Sequence, residues 1–386
     1  MVVGYTNPGY PVARTILNCC EGVRYVRSRS FESAIAKMRK RLKLPNRGLL
    51  KTGCTYLGGA ADSRVDLFHF FNLLGCGLCK KPYVTTFETS VPRGLNAEDY
   101  WFKRGLESLL SNRCRKLLAI SDCARRIQVD VLRRHLSTTD AAIVENKIEV
   151  VSPPQELISR GRDECVRQSS GSFRAIFVGK DFFRKGGGEV VRTFVKLRED
   201  YPVELWVVGD LARHGYASDA KVDDSSACQR LIESNSDWIH WSPSLPNAKV
   251  LELMRTCDIG LLPTRADTYG YSVLEMQACG LPVVTTDVRA LPEINNDECG
   301  WVIRGCGKRD GTGTFGEANY SSCEKLRELS EIIENGLHEK MVDALTARES
   351  VLQKGGCARK RIENEHSPVE YSRRLLSVYE SALSVA

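Results

Sequence analysis

Short apolar runs and amphipathic stretches alternate through the second half of the chain. Residues 173–179, "FRAIFVG", form an apolar run closed by glycine. Residues 189–199 then carry Val190, Val191, Phe194, Val195 and Leu197 at helical spacing. The same rhythm continues with "VELWVVGD" (203–210), a short helix near 227–234, "WIHWS" (238–242) and a helix over 247–255 opened by Pro246. "CDIGLLPT" (257–264), a turn and helix over 267–278, and "PVVTT" (282–286) complete it. The first half repeats the pattern less cleanly: strands at 65–71, 82–87, 116–121 and 147–151, with helices over 98–110 and from Asp122. Strand–helix–strand units in series predict an α/β protein with parallel sheets covered by helices on both faces.

Length then divides this pattern in two. A chain of 386 residues exceeds the size of one comfortable core, so we expect two Rossmann-like domains, 1–165 and 166–367. The polar stretch from Ser152 to Ser172 reads as the hinge between them. The closing amphipathic segment, 368–386, has no strand after it and is expected to pack back on the first domain. Ligands of such sheets sit beyond the carboxyl ends of the strands, and with two sheets the cleft between them is the default site.

Composition removes several classes of function. With 42% hydrophobic and 27% charged residues, the chain reads as an ordinary soluble globular protein. No apolar run approaches the ~18 residues of a membrane span, and the N-terminus lacks the basic start and apolar core of a signal peptide. Fifteen scattered cysteines, with a single CxxC at Cys76–Cys79, read as free thiols of a reducing cytosol rather than a disulfide or zinc framework. The net charge of +7 hides an asymmetry. Residues 1–160 hold 26 Lys and Arg against 14 Asp and Glu; the remainder holds 29 against 34. The densest basic segment is 37–51, with others at Arg113–Lys116 and Arg133–His135. Each reads either as a solvated helix face or as a surface for anionic lipid head groups or a phosphate-bearing acceptor. Nucleic acid is not expected, because no aromatic-rich basic motif or helix-turn-helix spacing accompanies the charge.

Three loops at strand ends carry candidate chemistry. In "FVGKDFFRKGGGE" a strand ends at Gly179, and Lys180, Arg184 and Lys185 precede Gly186 and two further glycines at a helix start. Glycines admit close backbone approach and a helix N-terminus adds positive potential, so the loop suits phosphate; it is also compatible with a plain surface turn. It is neither a dinucleotide fingerprint nor a P-loop. "VVGD" ends a second strand at Gly209 and Asp210. In "ADTYGYSVLE" the turn from Thr268 through Tyr269, Gly270 and Tyr271 to Ser272, with Val273, offers backbone donors at a helix start. Asp267 and Glu275 bracket that turn. Cations for phosphate beside acceptors for hydroxyls are what a nucleotide-sugar pocket needs.

These segments, with "GLPVVTTD" and "LPEI" after them, resemble the retaining glycosyltransferases of the GT-B fold, in particular glycosyltransferase family 4 (glycosyl transferases group 1). The likeness covers most of 173–295 in the right order and spacing. It is weaker over 1–150, where "DLFHFF", "KPYVTTFETSVPR" and "KLLAISDCARR" are similar to the family's first sheet. The resemblance implies two Rossmann-like domains facing each other across a cleft, an N-terminal acceptor domain and a C-terminal donor domain. It implies that Glu275 binds the ribose hydroxyls of the donor and that Asp267 takes the place of an acid contacting the donor sugar. Lys185 matches the lysine holding the diphosphate, Lys180 stands where most members carry arginine, and backbone from Tyr269 to Val273 matches the turn around the distal phosphate. Two departures are the shorter reach of Asp at 267 and the loss of arginine's bidentate fork at 180. Where the family often has a histidine after its first-domain strand, this chain has Phe87, Glu88 and Thr89. Glu88 and His69 are therefore the acceptor-side candidates.

The implied reaction moves a sugar, with retention, from a nucleotide-diphosphate sugar to a hydroxyl of a glycan or lipid-linked acceptor in cell-surface polysaccharide or glycoconjugate synthesis. Electrostatic stabilisation of the leaving diphosphate would be the main catalytic contribution. No metal or cofactor is expected, and the donor is a co-substrate. The protein is expected in the cytoplasm, peripheral on an anionic membrane face. The same residues are compatible with a non-enzymatic nucleotide-binding scaffold and with a sugar-nucleotide epimerase of this fold.

Overall fold

The computed structural model describes residues 1–6, 9–28, 55–58, 62–77, 79–93, 98–158, 171–213, 216–307 and 322–384. The chain forms two compact units, Met1–Pro154 with His366–Ala386, and Gln155–Glu365. The expected boundary at 165/166 therefore moves to 154/155. The reason is local bonding: Ile158 N–H donates to the Ala278 carbonyl at 3.1 Å, and Arg359 Nη1 donates to the Ile158 carbonyl at 2.8 Å, so this segment is already held by the second unit. On the return, His366 Nδ1 lies 2.8 Å from the Pro153 carbonyl within the first unit. Of the stretch read as a hinge, residues 159–170 lie outside the described residues.

In the first unit the strands are β1 (Val2–Tyr5), β2 (Arg24–Arg27), β3 (Thr55–Tyr56), β4 (Leu67–Phe71), β5 (Leu74–Gly75), β6 (Tyr83–Phe87), β7 (Cys114–Ala119) and β8 (Ile148–Val150). Six form one parallel sheet in the order β2-β1-β4-β6-β7-β8, and β3 pairs with β5 in a small ribbon. The pattern reading did not place β1 and β2, which are four residues each. The edge strand β2, "RYVR", has no fully buried position and so leaves little apolar signal. A sheet buried on both faces sorts its side chains by parity. Phe68, Phe70, Tyr83, Phe87, Leu117 and Ala119 enter one core with Leu106, Leu109 and Leu132 of the helices Tyr100–Leu110 and Asp122–His135. Leu67, Val84 and Leu118 enter another with Tyr371, Leu375 and Tyr379 of the C-terminal helix Pro368–Ser384.

His69 belongs to that second core. It is fully buried, Nδ1 lies 2.7 Å from the Tyr379 hydroxyl, and Nε2 lies 2.7 Å from Thr86 Oγ1. A neutral imidazole offers one donor and one acceptor, which two hydroxyls complement. This corrects the acceptor-side expectation for His69: both ring nitrogens are spent inside the core.

The two described basic segments are likewise engaged locally, and 37–51 lies outside the described residues. Ser121 caps the helix Asp122–His135 by accepting from Ala124 N–H at 3.0 Å, and Arg133, Arg134 and His135 form its last turn, where cations meet the helix dipole. Arg133 pairs with Glu145 at 2.8 Å, Arg134 with Asp130 at 2.7 Å and Lys116 with Glu149 at 3.8 Å; Arg113 Nη1 donates to the Cys79 carbonyl. The cysteines among the described residues are free thiols, and no described helix is long and apolar enough to cross a membrane.

The second unit carries β9 (Phe173–Asp181), β10 (Val203–Asp210), β11 (Ile239–Ser242), β12 (Ile259–Leu262), β13 (Val283–Thr286) and β14 (Gly300–Ile303). They form one parallel sheet in the order β11-β10-β9-β12-β13-β14. Counted within the unit this is the doubly wound order 3-2-1-4-5-6, whose direction of growth reverses between β9 and β12. Two long helices that the pattern reading did not place, Cys323–Thr346 and Arg348–Glu365, follow β14 and pack on the helices Gly187–Asp200 and Tyr271–Ala278.

Burial lowers the His69 pKa from 6.5 to about 3. Its folded-state contribution is therefore intact above 6.5 and lost as pH falls toward 3. We expect the His69 ring nitrogens, followed by long-range ¹H–¹⁵N NMR, to show no titration between about pH 5 and 8. A midpoint near the ordinary value would contradict its place in the core.

Candidate functional site

The reversal between β9 and β12 brings two loops together at the carboxyl ends of these strands. In the first loop, Phe182 and Phe183 are buried, with their rings edge-on 5.0 Å apart and Phe182 edge-on to Phe177 at 5.5 Å. This aromatic plug turns the chain back tightly: Lys185 N–H donates to the Asp181 carbonyl at 3.0 Å and Gly187 N–H to the Phe182 carbonyl at 2.9 Å. Gly186 ends the loop at φ +84°, and a Cβ there would stand 2.1 Å from the Pro263 carbonyl oxygen. The position demands glycine on both counts, and that close approach is what lets the two loops touch.

Backbone bonds then stitch them. Arg265 N–H and Thr264 Oγ1 donate to the Arg184 carbonyl at 2.9 and 3.1 Å, and Arg184 Nη1 donates to the Ala266 carbonyl at 2.7 Å. Arg184 Nε also reaches Asp181 Oδ2 at 3.0 Å. Lys185 Nζ pairs with Asp267 Oδ2, and Asp267 Oδ1 accepts from Thr268 N–H at 2.8 Å. Burial pushes the Asp267 carboxyl up. The Lys185 ammonium, followed by the Arg184 charge and the Thr268 N–H, more than offsets this and holds it below the usual carboxylate range. Lys180, the penultimate residue of β9, is exposed.

Behind the loops lies a charge cluster absent from the sequence reading. Arg265 is fully buried; it pairs with Glu189, two residues into the helix Gly187–Asp200, and with Asp223 at 2.9 Å. Arg265 Nη1 also donates to the Ala217 carbonyl at 3.3 Å, and Ser330 Oγ donates to Glu189 Oε1 at 2.8 Å. Burial pushes the guanidinium down, but Glu189 and Asp223 raise it above its ordinary value, so Arg265 stays charged. Asp223 is the first acid of "VDDS" (222–225), just before the helix Ser225–Glu233. Among the described residues no set of three or more His, Cys, Asp and Glu could hold a metal ion.

Gly270, at φ +102°, precedes the helix Tyr271–Ala278, which has no side-chain cap at its start. Val273 N–H donates to the Gly270 carbonyl at 2.9 Å. The expected run of phosphate-facing donors from Tyr269 to Val273 therefore shortens, because Val273 is spent within the turn. Glu275 is buried, 8% exposed, and its Oε1 accepts from Asn247 Nδ2 at 3.3 Å. Asn247 opens the helix Asn247–Thr256. Pro246 marked that helix start in the sequence, but nothing local linked it to Glu275. Beside Asn247, a groove of ≈ 700 Å³ is lined by Trp206, His240, Trp241, Leu245 and Lys249 among others. On β10 the Gly209 carbonyl accepts from Trp241 Nε1 at 2.9 Å, and Asp210 Oδ1 accepts from Ala212 N–H at 2.9 Å, so this carboxylate serves its own turn. In the first unit Glu88 follows β6, accepts from Asn72 Nδ2 at 3.3 Å and pairs with Arg93 at 2.9 Å, tying the ends of β4 and β6.

Replacing Arg265 by Met should leave Glu189 and Asp223 buried without their counter-charge. We expect a loss of about 3–5 kcal/mol in urea unfolding of the full chain. A loss under about 1 kcal/mol, typical of a surface pair, would show that the cluster does not hold the loops.

The match to a known family falls on the same half of the chain. Residues 172–310 match the family model of the glycosyl transferases group 1. A D-inositol 3-phosphate glycosyltransferase of Segniliparus rotundus is 27% identical over 164 residues, covering 41% of this chain and 35% of that protein. The GPI3 subunit of phosphatidylinositol N-acetylglucosaminyltransferase of Saccharomyces cerevisiae is 25% identical over 208 residues, covering 53% of this chain and 42% of that protein. The chain thus spans less than half the length of these curated relatives. Among solved structures, a glycosyltransferase from Rickettsia africae ESF-5 matches with a TM-score of 0.64 at 14% identity, covering 100% of this chain and 99% of that one. Anabaena Alr3699/HepE in complex with UDP matches with a TM-score of 0.61 at 13% identity, covering 98% and 99%. At such identities the likeness establishes the fold. Residues 172–310 are thus similar to the glycosyl transferases group 1, and the chain has the GT-B fold with its two Rossmann-like domains.

Proposed function

We propose that the chain is a retaining glycosyltransferase that moves a sugar from a nucleoside-diphosphate sugar to a hydroxyl of a glycan or lipid-linked acceptor. The observation that carries this reading is the convergence of Lys185, Asp267 and the start of the helix Tyr271–Ala278 at the reversal point between β9 and β12. Ligands of open α/β sheets bind at such points. The diphosphate would lie against Lys180, Lys185 and the backbone near Ser272, and Glu275 would accept from ribose hydroxyls. The binding of UDP by Anabaena HepE, a structure of the same fold, supports a donor of this class.

As the bond between the anomeric carbon and the diphosphate oxygen breaks, charge gathers on the leaving group. The acceptor hydroxyl attacks from the same face. Cations fixed in place before that moment stabilise the developing charge without reorganising, and in this reading they do so without a metal ion. Glu88, at the end of β6, is the acceptor-side residue in this reading. The excess of Lys and Arg over residues 1–160 supports a peripheral position on the cytoplasmic face of an anionic membrane.

A panel of UDP-, GDP- and ADP-sugars should identify the donor by a rise in melting temperature. With that donor, Lys185→Ala and Glu275→Ala should each lower kcat/KM by about 100-fold or more; full transfer by both variants would refute the assignment. The membrane reading predicts binding to phosphatidylserine-containing vesicles at low salt that is lost at high salt, and it fails if the protein stays in solution throughout.

A further inference from the structure

Lys185, the cation assigned to the donor diphosphate, is already committed. Its side chain is 16% exposed and that of Asp267 is 9% exposed, so the pair is largely removed from water. A charge pair in such surroundings attracts far more strongly than on the surface. Asp267 has both oxygens in use, Oδ2 with Lys185 and Oδ1 with Thr268 N–H. Its backbone cannot easily swing away, because Arg265 and Ala266, just before it, are bonded to Arg184. Arg184 is also countered, by Asp181 and the Ala266 carbonyl. A diphosphate arriving here meets a lysine neutralised by a carboxylate that repels it. The sugar hydroxyls meet a carboxylate whose two oxygens each already accept a hydrogen bond.

We propose that Asp267 and the donor diphosphate compete for Lys185, so that capture of the lysine by the diphosphate releases Asp267 Oδ2 to accept from a hydroxyl of the donor sugar. This rests on the donor-site reading above. It makes phosphate binding and sugar binding a single exchange. A nucleoside diphosphate lacking the sugar gives up the Lys185–Asp267 pair and gains no hydroxyl in return. The intact donor recovers that loss. Asp267 thereby discriminates substrate from product.

Isothermal calorimetry with UDP, GDP and ADP and with their glucose conjugates tests this on the full chain. Asp267→Asn should bind the bare diphosphate about tenfold more tightly than wild type, and the affinity ratio of sugar conjugate to bare diphosphate should fall at least about fivefold. Asp267→Ser, which also removes the charge, should do the same if the Asn variant does not fold. Bare-diphosphate affinity unchanged or weakened in the folded variant overturns the competition, and tightening with an unchanged ratio overturns the link to the sugar. A wild-type protein that binds none of the probes would instead overturn the donor-site reading, taking this proposal with it.

Discussion

A guanidinium with no access to water must find its counter-charges inside the protein, and the second unit of this chain is arranged around that requirement. Arg265 meets it with Glu189 and Asp223, which arrive from a helix start and from a loop well apart in sequence. Removing a charge from water is costly unless its partners and their hydrogen bonds are in place. The loop carrying Arg265 is therefore determined in position before any side chain of the site is considered. Pro263 packs against Gly186, Thr264 and Arg265 bond to Arg184, and Asp267 emerges beside Lys185. The site lies directly on this clamp.

Three of the four cations at the second unit's site have counter-charges among the described residues. Arg184 is set against Asp181, Lys185 against Asp267, and Arg265 against two acids. Lys180, exposed at the end of β9, forms no ion pair with another described residue. An anion-binding loop with unbalanced cations would attract any phosphate. Under the proposed exchange, a lysine held by a carboxylate favours a ligand that can replace what it takes. The carboxylate of the shorter side chain at 267 is seated between Lys185 and the Thr268 N–H.

The first unit shows where local pattern and chemistry diverge. The histidine in "DLFHFF" stands on a strand with a polar neighbour across the sheet, and only the C-terminal helix, hundreds of residues later, supplies Tyr379 to complete its bonding. Glu88, by contrast, stays at the carboxyl end of β6, although Asn72 and Arg93 already hold it. The basic run at 133–135 is explained by the end of a helix and by Glu145 and Asp130, before any external surface is invoked.

The sequence by itself determined the alternation of strands and helices, the two-sheet class, the three loops at strand ends and the special glycines at 186 and 270. Strand and helix periods and turn chemistry are local: they follow from backbone bonds between near neighbours and from which side chains a tight turn can accommodate. The polar edge strand β2, the four-residue β1 beside it and the helices after β14 escaped, because such short strands and a long mixed helix carry weak periodic signals. Only the tertiary structure decided that Arg265 belongs with Glu189 and Asp223, Asn247 with Glu275, Lys185 with Asp267 and His69 with Tyr379. These pairs join residues brought together by the strand order, and no spacing along the chain encodes a contact made across a sheet. The carboxylates at 267 and 275 were visible as a bracket around a turn; that one of them holds the lysine of the opposite loop was not.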